Sequence, residues 1–200
     1  MKVKHSIFSL ALAAALLVAA PTTHATLIHL FVNLLGANES PPVVTPGTGT
    51  ATFLLDTTAQ TLEGHIAFSG LTSNTTASHI HCCLPSAFAT GVNVGVATLV
   101  PAFPGFPLGV TSGTDDFVLN LALASSYNAG FITAQGGLAN AEAAFIGGLI
   151  SGRTYLNIHT VTNGGGEIRG FVQVPEPMTA SLLALGLAAA GFVSRRRKRI

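Results

Sequence analysis

Three histidines, at positions 79, 81 and 159 of the 200-residue chain, have the spacing of a metal site. His79 and His81 are separated by one residue, and His159 lies in a second strand-like segment. Residues i and i+2 of a β-strand point to the same side of the sheet, so the first two imidazoles should face one way. Three imidazoles and a water form an open zinc site, and imidazole also suits copper. The pattern predicts a Cu or Zn site, and the alternative is three histidines that bond to the backbone and hold loops in place.

Two adjacent cysteines, Cys82 and Cys83, follow the first two histidines and are the only cysteines in the chain. Disulfides persist in oxidising compartments such as the exterior of the cell. A disulfide between neighbours is therefore one expectation. Free thiols, metal ligands and an intermolecular bridge are the alternatives.

Four further polar residues lie in or near short motifs. Asn157 shares a strand face with His159, and Glu167 and Arg169 follow a glycine turn on one face of the last strand. Glu39 precedes a pair of prolines. We expect these residues to form a structural polar network rather than a catalytic site.

Known catalytic patterns are missing from the sequence. It contains no GxSxG, Walker loop, HExxH or glycine-rich dinucleotide turn. Asp115 and Asp116 are adjacent, so on a strand they would face opposite ways and could not act as a carboxylate pair. We predict no catalytic residues and a protein that is not an enzyme.

Both ends of the chain differ in composition from the middle. Residues 1–25 combine two early lysines, an apolar run and a small-residue exit, the pattern of a cleaved signal peptide. Residues 174–200 contain Pro175, Glu176 and Pro177, then an uncharged stretch over 178–193. That stretch is marginally long enough for a transmembrane helix, and a basic cluster beginning with Arg195, Arg196 and Arg197 follows it.

The charge of the middle segment excludes one class of partner. The whole chain has a formal net charge of +1. Residues 26–173 hold two arginines and seven acidic residues, so this segment carries 2 − 7 = −5 with histidine neutral. Nucleic-acid binding needs a basic patch, so we expect no nucleic-acid partner.

Residues 26–173 are long enough for one domain, and their pattern is that of short strands separated by turns. One short helix is predicted over 140–150. Such spacing favours an antiparallel sandwich or barrel. The predicted strands cover residues 26–35, 48–55, 61–68, 77–81, 92–100, 116–123, 153–161 and 167–174.

Four motifs together resemble the CHRD domain, a module first described in chordin. They are LLGANESPPVVTPGTGTATF, then HIH, then YLNIHT, then GGGEIRG, in that order. The first contains the Glu39, Pro41, Pro42 and Gly49 positions common in that family. The resemblance implies an all-β, immunoglobulin-like antiparallel β-sandwich of Greek-key type, and a biochemical role that is poorly defined.

The tail resembles the PEP-CTERM sorting signal, with its Pro-Glu-Pro, apolar span and arginine-rich end. This resemblance implies an exosortase-type partner and an inner-membrane-anchored precursor that reaches the cell surface or the exterior. It also implies an association with exopolysaccharide or a surface matrix. The expectation is an exported, non-enzymatic binding or structural module, and the alternative is a Cu- or Zn-binding protein, redox-active or metal-capturing, that uses the three histidines.

Overall fold

The computed structural model describes residues 27–175, so the predicted signal peptide and the predicted helix over 178–193 lie outside the described residues. Strands dominate, with two α-helices and two short 3-10 turns at Gly36–Asn38 and Ala124–Ser126. The strands are β1 Leu27–Leu35, β2 Thr48–Asp56, β3 Thr61–Ser69, β4 Thr75–Cys82, β5 Gly113–Asn120, β6 Thr154–Thr160 and β7 Ile168–Phe171, and the helices are α1 Ala129–Gln135 and α2 Leu138–Ile150.

The strands form one curled antiparallel sheet in the order β4-β6-β7-β1-β2-β3-β5. The all-β antiparallel prediction is confirmed, but the predicted sandwich of two separate sheets is corrected to a single continuous one. The two halves join at a narrow seam where Leu35 pairs with Arg169. Beyond it, the backbones of Phe31 and Gln173 exchange two hydrogen bonds of 2.9 and 3.0 Å, which close the seam.

Strands β2 and β3 form a hairpin that pairs in full register, from Thr48 opposite Ser69 to Asp56 opposite Thr61. Its turn is held locally, because the Asp56 carboxylate accepts backbone N–H bonds of 2.8 Å from Thr58 and Ala59. Aspartate commonly starts turns in this way. The apolar side chains of both strands alternate toward the core.

The predicted strand over residues 92–100 is wrong. This segment crosses the sheet as an irregular strap, with isolated bridges from Val96 to His81 and from Thr98 to Tyr127. The carbonyl oxygens of Val92 and Val94 bond to side chains of the sheet, whereas Gly95, Ala97 and Thr98 bond to the backbone of β4, so no regular ladder forms. We call residues 92–98 the strap.

The single predicted helix is found as α2, but α1 precedes it. The side chain of Asn128 accepts an N–H bond of 2.8 Å from Gly130 and caps α1, and Gly136 ends it with a φ of 78°. Helix α2 buries Ala141, Phe145 and Leu149. None of the helices within residues 27–175 is long and apolar enough to cross a membrane.

All seven residues of β6 are buried, so the polar side chains of this strand are buried as well. Leu156 and Ile158 belong to the apolar core. The alternate side chains Tyr155, Asn157 and His159 point to the opposite face of the sheet. That face is therefore buried and polar, and its hydrogen-bonding groups need partners inside the protein.

Candidate functional site

The three predicted histidines meet on the polar face of the β4–β6 pair. His79 lies opposite Asn157, and His81 lies opposite Tyr155. Direct partners in an antiparallel pair point to the same face, so both share a face with His159. The candidate ligand atoms of the three rings all lie within 4.8 Å of one another.

Two of the rings are oriented by backbone carbonyl groups. The Nδ1 atom of His81 lies 2.7 Å from the Val94 oxygen in the strap, and the Nδ1 atom of His159 lies 3.0 Å from the Gly164 oxygen. A carbonyl can only accept, so each Nδ1 must carry the proton and donate it. The lone pair of each neutral ring then lies on Nε2, the arrangement that metal-binding histidines commonly use.

Burial leaves these lone pairs without partners. The exposed fractions are 6% for His79, 9% for His81 and 8% for His159. Nδ1 of His79 and Nε2 of the other two rings have no hydrogen-bond partner among the described residues. Buried polar atoms are normally satisfied, so three orphaned nitrogens that face one another are unusual.

Burial also keeps the rings neutral. It lowers the pKa of His79 to about 3, with further contributions from the neighbouring histidines. It lowers the pKa of His81 to about 4, although the Val94 bond acts in the opposite direction. The pKa of His159 is lowered for the same first reason. At pH 7 the three imidazoles are therefore neutral, and each can offer a nitrogen lone pair to a metal ion.

Tyr155 packs against His81, and Arg169 packs against Tyr155. The His81 ring stacks on Tyr155 with ring centroids 4.5 Å apart, and the Arg169 guanidinium lies 3.5 Å from the centroid of the same tyrosine ring. Arg169 is 1% exposed and donates to the Val92 oxygen at 2.7 Å and to Asn93 at 3.2 Å. These contacts fasten the strap, whose Val94 orients His81.

Glu39 and Asn157 complete this polar face. The Asn157 amide donates to a carboxylate oxygen of Glu39 at 3.3 Å. Burial raises the pKa of Glu39 to about 7, although the positive charge of Arg169 lowers it. Asn157 is also the register partner of Arg169, which places all three side chains on one face.

The structure separates Glu167 from that group. Its carboxylate accepts bonds from the Thr45 hydroxyl at 2.6 Å, the Thr72 backbone at 2.7 Å and the Thr160 hydroxyl at 2.7 Å. Burial raises the pKa of Glu167, but these hydrogen bonds outweigh it and hold the pKa below the ordinary value. The four predicted network residues therefore form two clusters.

Cys82 and Cys83 form a disulfide on the other side of β4. Because side chains alternate, Cys82 points away from the face that His81 occupies. The two sulfur atoms contact the Ala144 oxygen of α2 at 3.7 and 3.5 Å. Among the described residues, the group of close metal-ligating atoms contains the three histidines only, so neither a cysteine nor Glu39 joins it.

Two supporting groups were missed by the sequence interpretation. Tyr155 stands two residues before Asn157, and the same alternation could have placed it on the site face. The Val94 carbonyl had no detectable signal, because a backbone atom in an irregular segment has no sequence pattern. Of the predicted sorting residues only Pro175 is described, and Glu176, Pro177, Arg195, Arg196 and Arg197 lie outside the described residues.

Comparison with known protein families identifies two segments of the chain. Residues 30–172 match the CHRD domain, and residues 173–198 match the PEP-CTERM protein-sorting motif. No curated protein and no solved structure matches the chain. The sorting motif indicates an exported, membrane-anchored precursor that exosortase-type machinery processes. The chain belongs to the CHRD domain family and carries a C-terminal PEP-CTERM sorting motif.

Proposed function

We propose that this exported CHRD protein is a non-enzymatic surface module that captures one Cu or Zn ion through His79, His81 and His159. The observation that carries the proposal is the set of three buried imidazole nitrogens without hydrogen-bond partners. An arrangement that served only to hold loops would have used those nitrogens in bonds. Only the Nδ1 atoms of His81 and His159 bond to the backbone.

The spacing of the nitrogens is compatible with one ion. In a tetrahedral zinc site, Zn–N bonds of about 2.0–2.1 Å place two nitrogens about 3.3 Å apart. The separations here do not exceed 4.8 Å, so small ring rotations would bring the three nitrogens into range. Imidazole suits both zinc and copper, and three protein ligands leave a position for water.

Elemental analysis tests the metal proposal. The full chain is produced in an oxidising compartment, purified without a histidine tag and exposed to Cu²⁺ or Zn²⁺ before desalting. We expect about one ion per chain, and at least a tenfold lower content in a His159→Gln variant, because two imidazoles hold an ion poorly.

The matched control is His65→Gln, which changes an exposed histidine paired with Asp116 at 2.7 Å. This variant should keep the wild-type metal content. Equal metal content in the wild-type chain and the His159→Gln variant would contradict the proposal.

Contact with a matrix polysaccharide is a second candidate function. The outer face of β2 presents three exposed threonines, Thr48, Thr50 and Thr52, at strand spacing. Thr48 and Thr50 line a shallow exposed groove together with Asn33 and Thr114. A polar row of hydroxyl and amide groups can hydrogen-bond to sugar hydroxyls, and the sorting motif supports delivery to the exterior.

Co-sedimentation with an insoluble polysaccharide tests this second candidate. Changing Thr48, Thr50 and Thr52 together to valine should reduce the bound fraction at least threefold, since the hydroxyls are lost and strand propensity is kept. The single change Thr58→Val, in the exposed turn, is the control and should leave binding unchanged. Unreduced binding by the triple variant would eliminate this face as the contact surface.

A further inference from the structure

A cavity of about 500 Å³ lies between α2 and the Cys82–Cys83 disulfide, on the side of β4 away from the histidines. The metal proposal makes no use of it. Cys83, Gln135, Ala144, Gly148 and Arg153 line it.

The floor of the cavity is formed by small residues and the disulfide. A side chain at Gly148 would place its Cβ atom 2.7 Å from the Cys82 sulfur and 3.4 Å from the Cys83 sulfur. The helix backbone can therefore lie directly against the disulfide only because residue 148 is glycine. Because Ala144 and Gly148 are small, the floor leaves room for a six-membered ring.

Arg153 gives the rim of the cavity an unneutralised positive charge. It and Arg169 are the only lysine or arginine residues in 27–175, and Arg169 is 1% exposed. The Nε atom of Arg153 donates to the Leu84 oxygen at 2.5 Å, and its terminal nitrogens have no hydrogen bond to residues 27–175. The one ion pair within the described part of the chain joins His65 and Asp116, so no carboxylate neutralises Arg153.

We propose that this cavity binds a small organic anion of the uronic acid class. The carboxylate pairs with the terminal nitrogens of Arg153, whose planar fork matches a carboxylate. The sugar ring lies over Cys83 and Ala144 on the floor of the cavity. The Gln135 amide, which can donate and accept, bonds to a ring hydroxyl. This site is separate from the histidines and does not depend on the metal proposal.

Calorimetric titration of the purified full chain tests the charge requirement. Glucuronate should bind at least tenfold more tightly than glucose at the same ionic strength, and Arg153→Gln should weaken glucuronate binding at least tenfold. Thr162→Asp makes the same change in net charge in the exposed loop after β6 and should have no effect, whereas Arg153→Lys should fall between. Equal affinity for glucuronate and glucose, or an Arg153→Gln variant that binds like the wild type, would overturn the proposal.

Two further probes test the ring contact without any variant. Acetate should bind at least tenfold more weakly than glucuronate, because it lacks the ring. Saturating glucuronate should slow reduction of the disulfide by a soluble phosphine at least threefold, because the bound ring covers Cys83. Equal binding of acetate, or an unchanged reduction rate, would overturn the assignment of this ligand class to this cavity.

Discussion

Replacing Arg169 with methionine should lower the free energy of unfolding by about 3–5 kcal/mol at pH 7. The change removes a fully buried charge that is bonded to the strap at Val92 and Asn93, stacked on Tyr155 and placed to offset Glu39. Breaking a buried charge network on one side commonly costs this much, because the remaining partners lose their compensation. Chemical denaturation measures the loss.

Glu39→Gln is the control from the same network. Burial raises the pKa of Glu39 to about 7, so the carboxyl is already close to half protonated at neutral pH. A neutral amide can keep the 3.3 Å bond from Asn157, so we expect a change of less than about 1 kcal/mol. A loss below about 1 kcal/mol for Arg169→Met would show that the network does not stabilise the strap.

Acidification from pH 6.5 to pH 5 should lower the stability of the metal-free protein. The pKa values of His79 and His81 fall from 6.5 to about 3 and about 4 in the folded state, and that of His159 also falls. The unfolded chain therefore binds more protons in this window. The stabilisation from neutral histidines is complete above pH 6.5 and is lost as the pH falls, at roughly 1.4 kcal/mol per pH unit for each of His79 and His81.

Two buried acids act in the opposite direction. Burial raises the pKa of Glu39 to about 7 and raises that of Asp115, so their contributions are present at low pH and are lost as the pH rises. His79 and His81 set against Glu39 leave a net loss of roughly 1.4 kcal/mol per pH unit, and His159 and Asp115 act in opposite directions. Urea denaturation at several pH values measures it, with His79→Gln expected to flatten the slope. Stability that is constant or rises on acidification would contradict the burial of neutral histidines.

The face of the sheet that each site residue shares with its neighbour could be predicted from the sequence, because it depends only on the alternation of side chains along a strand. His79 and His81, and likewise Asn157 and His159, are each separated by one residue, so each pair must share a face. The β2–β3 hairpin was predictable for a similar reason, since a short turn fixes its register.

Long-range pairing could not be predicted in this way. Strands β4 and β6 are separated by more than 70 residues, and no local pattern specifies that they pair or that β7 joins β1 through one narrow seam. The strap looked like a strand because it is apolar, but its backbone bonds partly to side chains of the sheet and only irregularly to the backbone of β4. Helix α1 contains a glycine and is only seven residues long, so its pattern was too weak to detect.

Binding of one metal ion by His79, His81 and His159 can be tested directly by nitrogen-15 NMR of the histidine side chains during titration with Zn²⁺. Before metal is added, His81 and His159 should show the proton on Nδ1. One equivalent of zinc should shift the resonances of Nε2 in both rings and of Nδ1 in His79, and should leave His65 unchanged. We predict saturation at one ion per chain. Metal binding at this site would be contradicted if the rings of His79, His81 and His159 did not respond to zinc.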